Sequence, residues 1–217
     1  MRVYVNGGEA ALTIDRLAGD SLEGAVYLQG TGYLANLTIT PGAVEGLDPR
    51  PGPSPIAKDA RFVRQWQMTA AAPLAEANPD VAGLPAAATA WLPSPEEWDG
   101  LVNITRRHGL PTGRSVVWLR TRMRAAARTE KRAAIGWNDE VWVFVNGKQV
   151  YADKNKYAKG PPRKKPDGRL SLENGAFTLP LEAGDNDVVV AVANAFFGWG
   201  LMLRLDDIQG VTLAPPM

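Results

Sequence analysis

The sequence predicts an all-β protein: a jelly-roll β-sandwich preceded by a short N-terminal antiparallel sheet. Three observations lead to this prediction. Short runs rich in β-branched and aromatic residues recur along the chain, and Gly, Pro, Asn or Asp separates them. The hairpin 140-EVWVFVNGKQVYADKN-155 alternates on both sides of Asn-Gly, the preferred two-residue turn. The run VVVAVA at 188–193 is apolar on both faces, which is typical of a central strand covered on both sides.

Composition narrows the class of protein. The chain has 217 residues, is 45% hydrophobic and carries a formal net charge of +1, which argues against a protein built mainly to hold nucleic acid. It has no cysteine, so disulfides, thiolate zinc sites and cysteine nucleophiles are excluded. No stretch resembles a membrane span, and 1-MRVYVNGGEA-10 lacks the apolar core of a signal peptide. The compartment stays open: cytoplasmic by default, extracytoplasmic if the chain is a fragment of an exported protein.

The order of elements suggests three segments. Residues 1–42 contain four strand-like runs, too few to bury much apolar surface alone: RVYVN, AALTI, GAVYL and GYLANLTIT. A linker is expected at 43–55, because 41-PGAVEGLDPRPGPSP-55 holds five prolines and three glycines. The jelly-roll domain is expected over 56–217.

Within 56–217 the expected strands begin at 61-RFVRQWQM-68, whose larger apolar residues share one face. A partly ordered loop over 69–95 and a helix start at 94-SPEEWDG-100 precede the main β region. In 115-SVVWLRTRMRA-125 apolar residues alternate with arginines, which predicts a half-buried strand with a basic outer face. The other expected strands are LVNIT, KRAAIGW, VWVFVN, KQVYA, AFTLPL, NDVVVAVAN and GLMLRLDD.

Three of these segments also carry a resemblance. VFVNGKQVY, LPLEAGDNDVVVAVAN and FFGWGLMLRLDD resemble the galactose-binding-domain-like jelly roll of multidomain bacterial proteins, over roughly residues 60–210, although Phe197 replaces the first glycine of the last motif. Upstream, AALTIDRLAGDSLEGAVYLQGTGYLANLTITP is similar to the C-terminal strands of a laminin-G-like, concanavalin A-like domain. The resemblance implies carbohydrate-associated architecture and does not imply catalysis.

A ligand site is expected where the loops of the sandwich gather. Trp137 and Trp199 are candidates for stacking on a sugar ring, and Asn138, Asp139 and Asn194 are candidates for its hydroxyl groups. The favoured alternative is that both tryptophans pack in the core and that the glycines around Trp199 only permit a bulge.

For the other polar clusters, a structural role explains the sequence better than a metal-binding, catalytic or polyanion-binding role. The acidic turns around 185–187 and 206–207 could hold a structural calcium ion, but a β-turn explains the first equally well. His108, the single histidine, fits a solvated loop, and the carboxylates of 96–99 fit a helix N-terminus. The loop 154-KNKYAKGPPRKKPDGR-169 holds seven basic residues and one acid; a solvated loop is favoured over a patch for nucleic acid or acidic polysaccharide.

The function expected from the sequence is that of a non-catalytic, carbohydrate-binding-like or accessory module. No catalytic residue and no metal ligand is assigned. Two alternatives stay open: a fragment of a glycoside hydrolase or lyase, and a structural module that docks on a partner domain or self-associates. The expected partner is a glycan, with a homodimer or a missing upstream domain as further possibilities; a membrane is not expected and nucleic acid is disfavoured.

Overall fold

The computed structural model describes residues 2–5, 8–12, 59–75, 78–79, 83–86, 88–94, 100–110, 113–157, 168–195 and 197–214. The chain divides into two compact units, Met1–Pro53 and Ser54–Met217. In the first unit, strands β1 (Arg2–Val5) and β2 (Gly8–Leu12) pair antiparallel, with an irregularity at Val3/Tyr4. The runs GAVYL and GYLANLTIT, expected as strands, lie outside the described residues, and the likeness to a laminin-G-like domain stays a prediction.

The second unit is built from two antiparallel sheets, which confirms the all-β sandwich. Its elements are β3 (Gln67–Met68), β4 (Ala72–Pro73), β5 (Leu92–Pro93), β6 (Leu101–Asn103), α1 (Ile104–His108), β7 (Ser115–Ala125), β8 (Thr129–Trp137), β9 (Asp139–Val145), β10 (Lys148–Asn155), β11 (Gly175–Leu181), β12 (Gly184–Asn194), β13 (Gly200–Leu205) and β14 (Val211–Ala214). The larger sheet has the order β10-β9-β12-β7-β3-β5, and β4 and β14 also pair with β7. The smaller sheet has the order β11-β8-β13-β6.

The strongest sequence patterns fold as expected. Asn146 and Gly147 both have positive φ and join β9 to β10. In β7, the residues from Val117 to Met123 alternate between buried apolar or Thr side chains and partly exposed basic or Trp side chains. The VVVAVA run lies in β12, and Ala191 pairs with both Trp118 and Trp142, so β12 is a central strand.

The main core lies between the two sheets. It contains the inward residues of β7, β9 and β12 and those of β8, β11 and β13, among them the fully buried Leu119, Ile135 and Leu203. A smaller cluster, including Trp142 and Phe144, covers the outer face of the larger sheet. The chain before β7 shields this outer face, and this explains why β9 is buried along its whole length.

Two local predictions were wrong. The segment 61-RFVRQWQM-68 was expected to be one strand, but only its last two residues form β3, while Phe62 makes an isolated bridge to Arg204. LVNIT was expected to be a strand throughout, but the chain turns into α1 after Asn103, whose side chain accepts a hydrogen bond from the Arg106 amide at 3.0 Å. The expected helix start at 94–100 falls on residues 95–99, outside the described part of the chain.

The antiparallel order gives the sandwich two different ends. The end that we call the loop end gathers the start of β7, the β8–β9 corner, the end of β10 and the β12–β13 connection. The opposite end, the turn end, carries the Asn146-Gly147 turn and the starts of β8 and β12. No helix in the described residues is long and apolar enough to cross a membrane.

Candidate functional site

The loop end brings together the five residues that the sequence analysis singled out. Asp139 pairs with Asn155 across β9 and β10, and Asn194 pairs with Ser115 across β12 and β7. Trp137 pairs with Leu201 in the other sheet, one residue from the start of β13. The register of both sheets therefore fixes this end, and residues distant in sequence become neighbours there.

Both tryptophans lie under the surface of the loop end. Trp137 is 0% exposed and meets Tyr151 edge-on, with ring centroids 6.0 Å apart. Trp199 is 3% exposed, and its indole nitrogen donates to the Gly109 carbonyl at 3.1 Å. Their faces are covered by protein, as the core-packing alternative requires, and sugar stacking on either ring would require this end to open.

Buried asparagines tie the corner after Trp137 to the returning chain. Asn155 and Asn174 each donate from the amide nitrogen to the carbonyls of Trp137 and Arg169, at 2.8–3.3 Å. Asn138 donates to the Gly168 carbonyl at 3.1 Å. Because buried polar groups are costly without partners, these bonds hold the corner in one geometry. The sequence analysis missed Asn155 and Asn174, since asparagines at strand ends look like ordinary turn residues.

Asp139 is a buried acid at the start of β9. It is 8% exposed and has φ of 54°, a left-handed backbone that non-glycine residues rarely adopt. Its carboxylate accepts a hydrogen bond from the Ala195 amide at 2.9 Å, which ties β9 to the β12–β13 connection. Burial raises the pKa of Asp139 above its ordinary value, and the Ala195 hydrogen bond and the charge of Lys156 only partly oppose this.

The β12–β13 connection presents an aromatic side chain to solvent. Asn194 is 1% exposed and donates its amide to the Phe197 carbonyl at 2.9 Å, so it positions this connection from below. Phe197 itself has φ of 60° and is 67% exposed. Tyr157, just beyond β10, is 62% exposed, and Leu110, before β7, is 59% exposed. Three of the four exposed large hydrophobic side chains in the described residues thus belong to the loop end.

Glu140 forms the strongest charge cluster of the loop end. It is 2% exposed, and its carboxylate lies 2.9 Å from Arg114 Nε, 3.0 Å from Lys156 Nζ and 3.4 Å from Lys154 Nζ. Burial acts to raise the pKa of Glu140, but the hydrogen bonds from Arg114 and Lys156 outweigh it, and the pKa lies below its ordinary value. The sequence analysis missed Glu140, because an acid inside a strand pattern predicts an exposed position.

The other polar residues considered in the sequence analysis, the acidic turn at 185–187 and His108, are placed within the scaffold of the sandwich. Asn186 is 0% exposed; it accepts from Glu182 N and Asn146 Nδ2 and donates to the Glu182 and Gly184 carbonyls, so the acidic turn near it is a braced corner of β12. His108 ends α1, and burial lowers its pKa. The described residues contain no group of three or more His, Asp or Glu side chains suited to a metal ion. Residues 96–99 and 158–167 lie outside the described part.

No protein-family model matches the chain, and no curated protein matches it. Similar solved structures include a family 35 carbohydrate-binding module from an environmental isolate, at 17% identity and TM-score 0.34, covering 50% of this chain and 76% of the module. A β-glucosidase from Kluyveromyces marxianus shares 12% identity at TM-score 0.38, covering 70% of this chain and 16% of the enzyme. A Faecalibacterium prausnitzii β-glucuronidase shares 15% identity at TM-score 0.36, covering 59% and 20%. These likenesses are too weak to carry a functional conclusion, which has to come from the loop end itself.

Proposed function

We propose that the Ser54–Met217 unit is a non-catalytic, carbohydrate-binding-like module and that its ligand site is the loop end. One observation carries this proposal: exposed aromatic and buried polar side chains occur together at one end of a rigid sandwich. Sugar rings have an apolar C–H face and a polar rim, so a protein that binds them needs both kinds of surface in one place.

The structure suggests a division of roles. Phe197 is the best placed aromatic surface for a sugar ring, because it is exposed and its main chain is anchored by Asn194. Asn138 is half-buried and uses its amide nitrogen on Gly168, and its amide oxygen makes no hydrogen bond among the described residues. In this proposal Trp137 and Trp199 support the site from within the core rather than stacking on the ligand.

Asp139 and Asn194 would act mainly through the backbone that they hold. Each is buried, and each bonds to the β12–β13 connection, through Ala195 and Phe197. A contact between either side chain and a sugar hydroxyl would need that connection to shift. In this proposal Asp139 and Asn194 hold Phe197 in position, and the more exposed side chains contact the sugar directly.

A glycan panel tests the proposal. The purified chain is screened against neutral and acidic oligosaccharides, with calcium and with a chelator, and compared with Phe197→Ala. Leu92→Ala is the matched control, because Leu92 is 44% exposed and lies on β5, the edge strand of the larger sheet, level with Leu119 in the middle of β7. Loss of an aromatic side chain that stacks on a nucleic-acid base weakens binding by about 1–3 kcal/mol, and we expect a loss of similar order for a sugar ring stacked on Phe197.

The proposal expects saturable binding that Phe197→Ala weakens at least several-fold and Leu92→Ala leaves unchanged. Circular dichroism spectra and melting curves establish that both variants fold. Trp199→Ala is unsuitable as a probe, because it would remove a core side chain and mix unfolding with loss of contact. No binding across the panel by the folded wild-type chain would refute the proposal.

A further inference from the structure

We infer that the loop end selects acidic glycans, through a ligand carboxylate bound at Lys154 and Lys156; this inference rests on the proposed function. It is carried by the charge balance around Glu140. Three cations, Arg114, Lys154 and Lys156, approach this single buried carboxylate within 4 Å. Even with Asp139 ionised as a second acid next to the cluster, positive charge is in excess.

Ion pairs at the opposite end of the sandwich join single cations to single acids. At the turn end Arg122 pairs with Asp187, Arg124 pairs with Asp185 and Arg128 pairs with Glu182. Lys131 likewise meets Asp207. Among the ion pairs of the described residues, Glu140 is the acid that meets more than one cation.

The geometry leaves the two lysines able to bind a second anion. The Lys154 and Lys156 side chains are 58% and 50% exposed, so their ammonium groups meet both the buried carboxylate and solvent. An ammonium group has three donors, and one bond to Glu140 leaves the others for a ligand. Arg114 is different: it is 20% exposed and bonds both Glu140 and the Ala75 carbonyl, so it anchors Glu140 from the protein side.

A carboxylate-bearing sugar fits this arrangement better than a nucleic acid strand. Nucleic acid affinity comes from several cations that follow successive phosphates along a groove. Among the described arginines of β7, Arg122 and Arg124 are paired with acids, and Arg120 bonds Gln67 and lies over Trp91. These arginines therefore do not offer a row of phosphate contacts that continues from Lys154 and Lys156. A single carboxylate on a pyranose next to Phe197 or Tyr157 would use one charged point and one exposed aromatic face.

Binding measurements with defined probes test this inference. Titration calorimetry compares oligogalacturonides, which carry a carboxylate on each ring, with neutral galacto-oligosaccharides and single-stranded DNA. The variant Lys154→Gln/Lys156→Gln removes the two exposed cations and keeps a polar side chain at each position. The matched control Lys148→Gln/Arg128→Gln removes two exposed cations at the turn end.

We expect the wild type to prefer the acidic oligosaccharide and the lysine variant to lose roughly tenfold in that affinity, with the control unchanged. Raising NaCl from low to high concentration should weaken acidic binding and leave neutral binding unaltered, a test that needs no variant. Equal affinity for both sugars with no effect of the lysine variant would overturn this inference alone. Tighter binding of DNA than of either sugar would also overturn it, and no glycan binding at all would refute the proposed function as well.

Discussion

Replacing Glu140 by glutamine keeps the shape of the side chain and removes one buried negative charge. The expected loss of unfolding free energy follows from its partners. A hydrogen bond from Arg114 to a buried carboxylate is worth about 1.5–3 kcal/mol, whereas the half-exposed Lys154 and Lys156 contribute only about 0.5 kcal/mol each because solvent screens them. Glutamine retains a neutral hydrogen bond and relieves the burial of a charge, so the net loss is about 2 kcal/mol.

Urea unfolding at pH 7, followed by circular dichroism, measures this loss. Glu182→Gln is the matched control, because Glu182 lies 3.7 Å from Arg128 and both side chains are mostly exposed; its expected change is below about 0.5 kcal/mol. Unchanged m-values would show that the two variants unfold from equally compact states. A Glu140→Gln variant as stable as the Glu182→Gln variant would refute the assignment of Glu140 as the anchor of the loop end.

The pH dependence of the same pair of proteins provides a second check. Because the folded-state pKa of Glu140 is lowered from 4.5, the carboxylate stabilises the fold fully above pH 4.5. This stabilisation is lost as the pH falls through the lower folded-state pKa. The stability gap between wild type and Glu140→Gln should therefore be constant at neutral pH and narrow below pH 4.5. A gap that persists or widens in acid would contradict the sign of the shift.

Three further predictions concern stability. The Asn186→Ala variant should lose about 3 kcal/mol of unfolding free energy in urea, because the substitution removes four hydrogen bonds at a fully buried position. The neighbouring control Asp185→Ala should change the unfolding free energy little. The Trp199→Ala variant should lose about 3–5 kcal/mol of unfolding free energy, because it truncates a buried side chain of the core. A melting curve like that of the wild type would show that the indole is dispensable for stability. Phe197→Gly should melt no lower than wild type, since glycine adopts positive φ freely, yet bind glycan more weakly.

The parts of the fold that could be predicted are those with a regular or short-range sequence pattern. Alternation in β7, the Asn146-Gly147 turn and the doubly apolar β12 each follow from local geometry, and all three are found in the structure. Irregular segments were not predictable in this way. Whether Ile104 continues a strand or begins a helix depends on the Asn103 cap and on the contact of Thr105 with Trp199, which is 94 residues away in sequence.

The five residues singled out from the sequence lie together in the structure, and their role in ligand binding stays a prediction. Turn residues and tryptophans near strand ends point to the loop end, and the structure brings all five predicted residues there. Which side chains face solvent is decided by tertiary packing, and so Trp137 is buried while Phe197 is exposed. Glu140 was not recognised from the sequence because Arg114, which anchors it, lies 26 residues away on another segment, although Lys154 pairs with Glu140 across the β9–β10 hairpin.

Backbone strain gives an independent reason to place function at the loop end. Three described non-glycine residues have positive φ: Asn146, in the hairpin turn that favours it, and Asp139 and Phe197 at the loop end. Such a conformation costs on the order of 1 kcal/mol or more for an ordinary side chain, and glycine would relieve it. Asp139 offsets this cost with its bond to Ala195, but a phenylalanine that is 67% exposed gains little from packing. An exposed phenylalanine ring on a backbone of positive φ does not serve the stability of the fold, and this supports our proposal that Phe197 contacts the ligand.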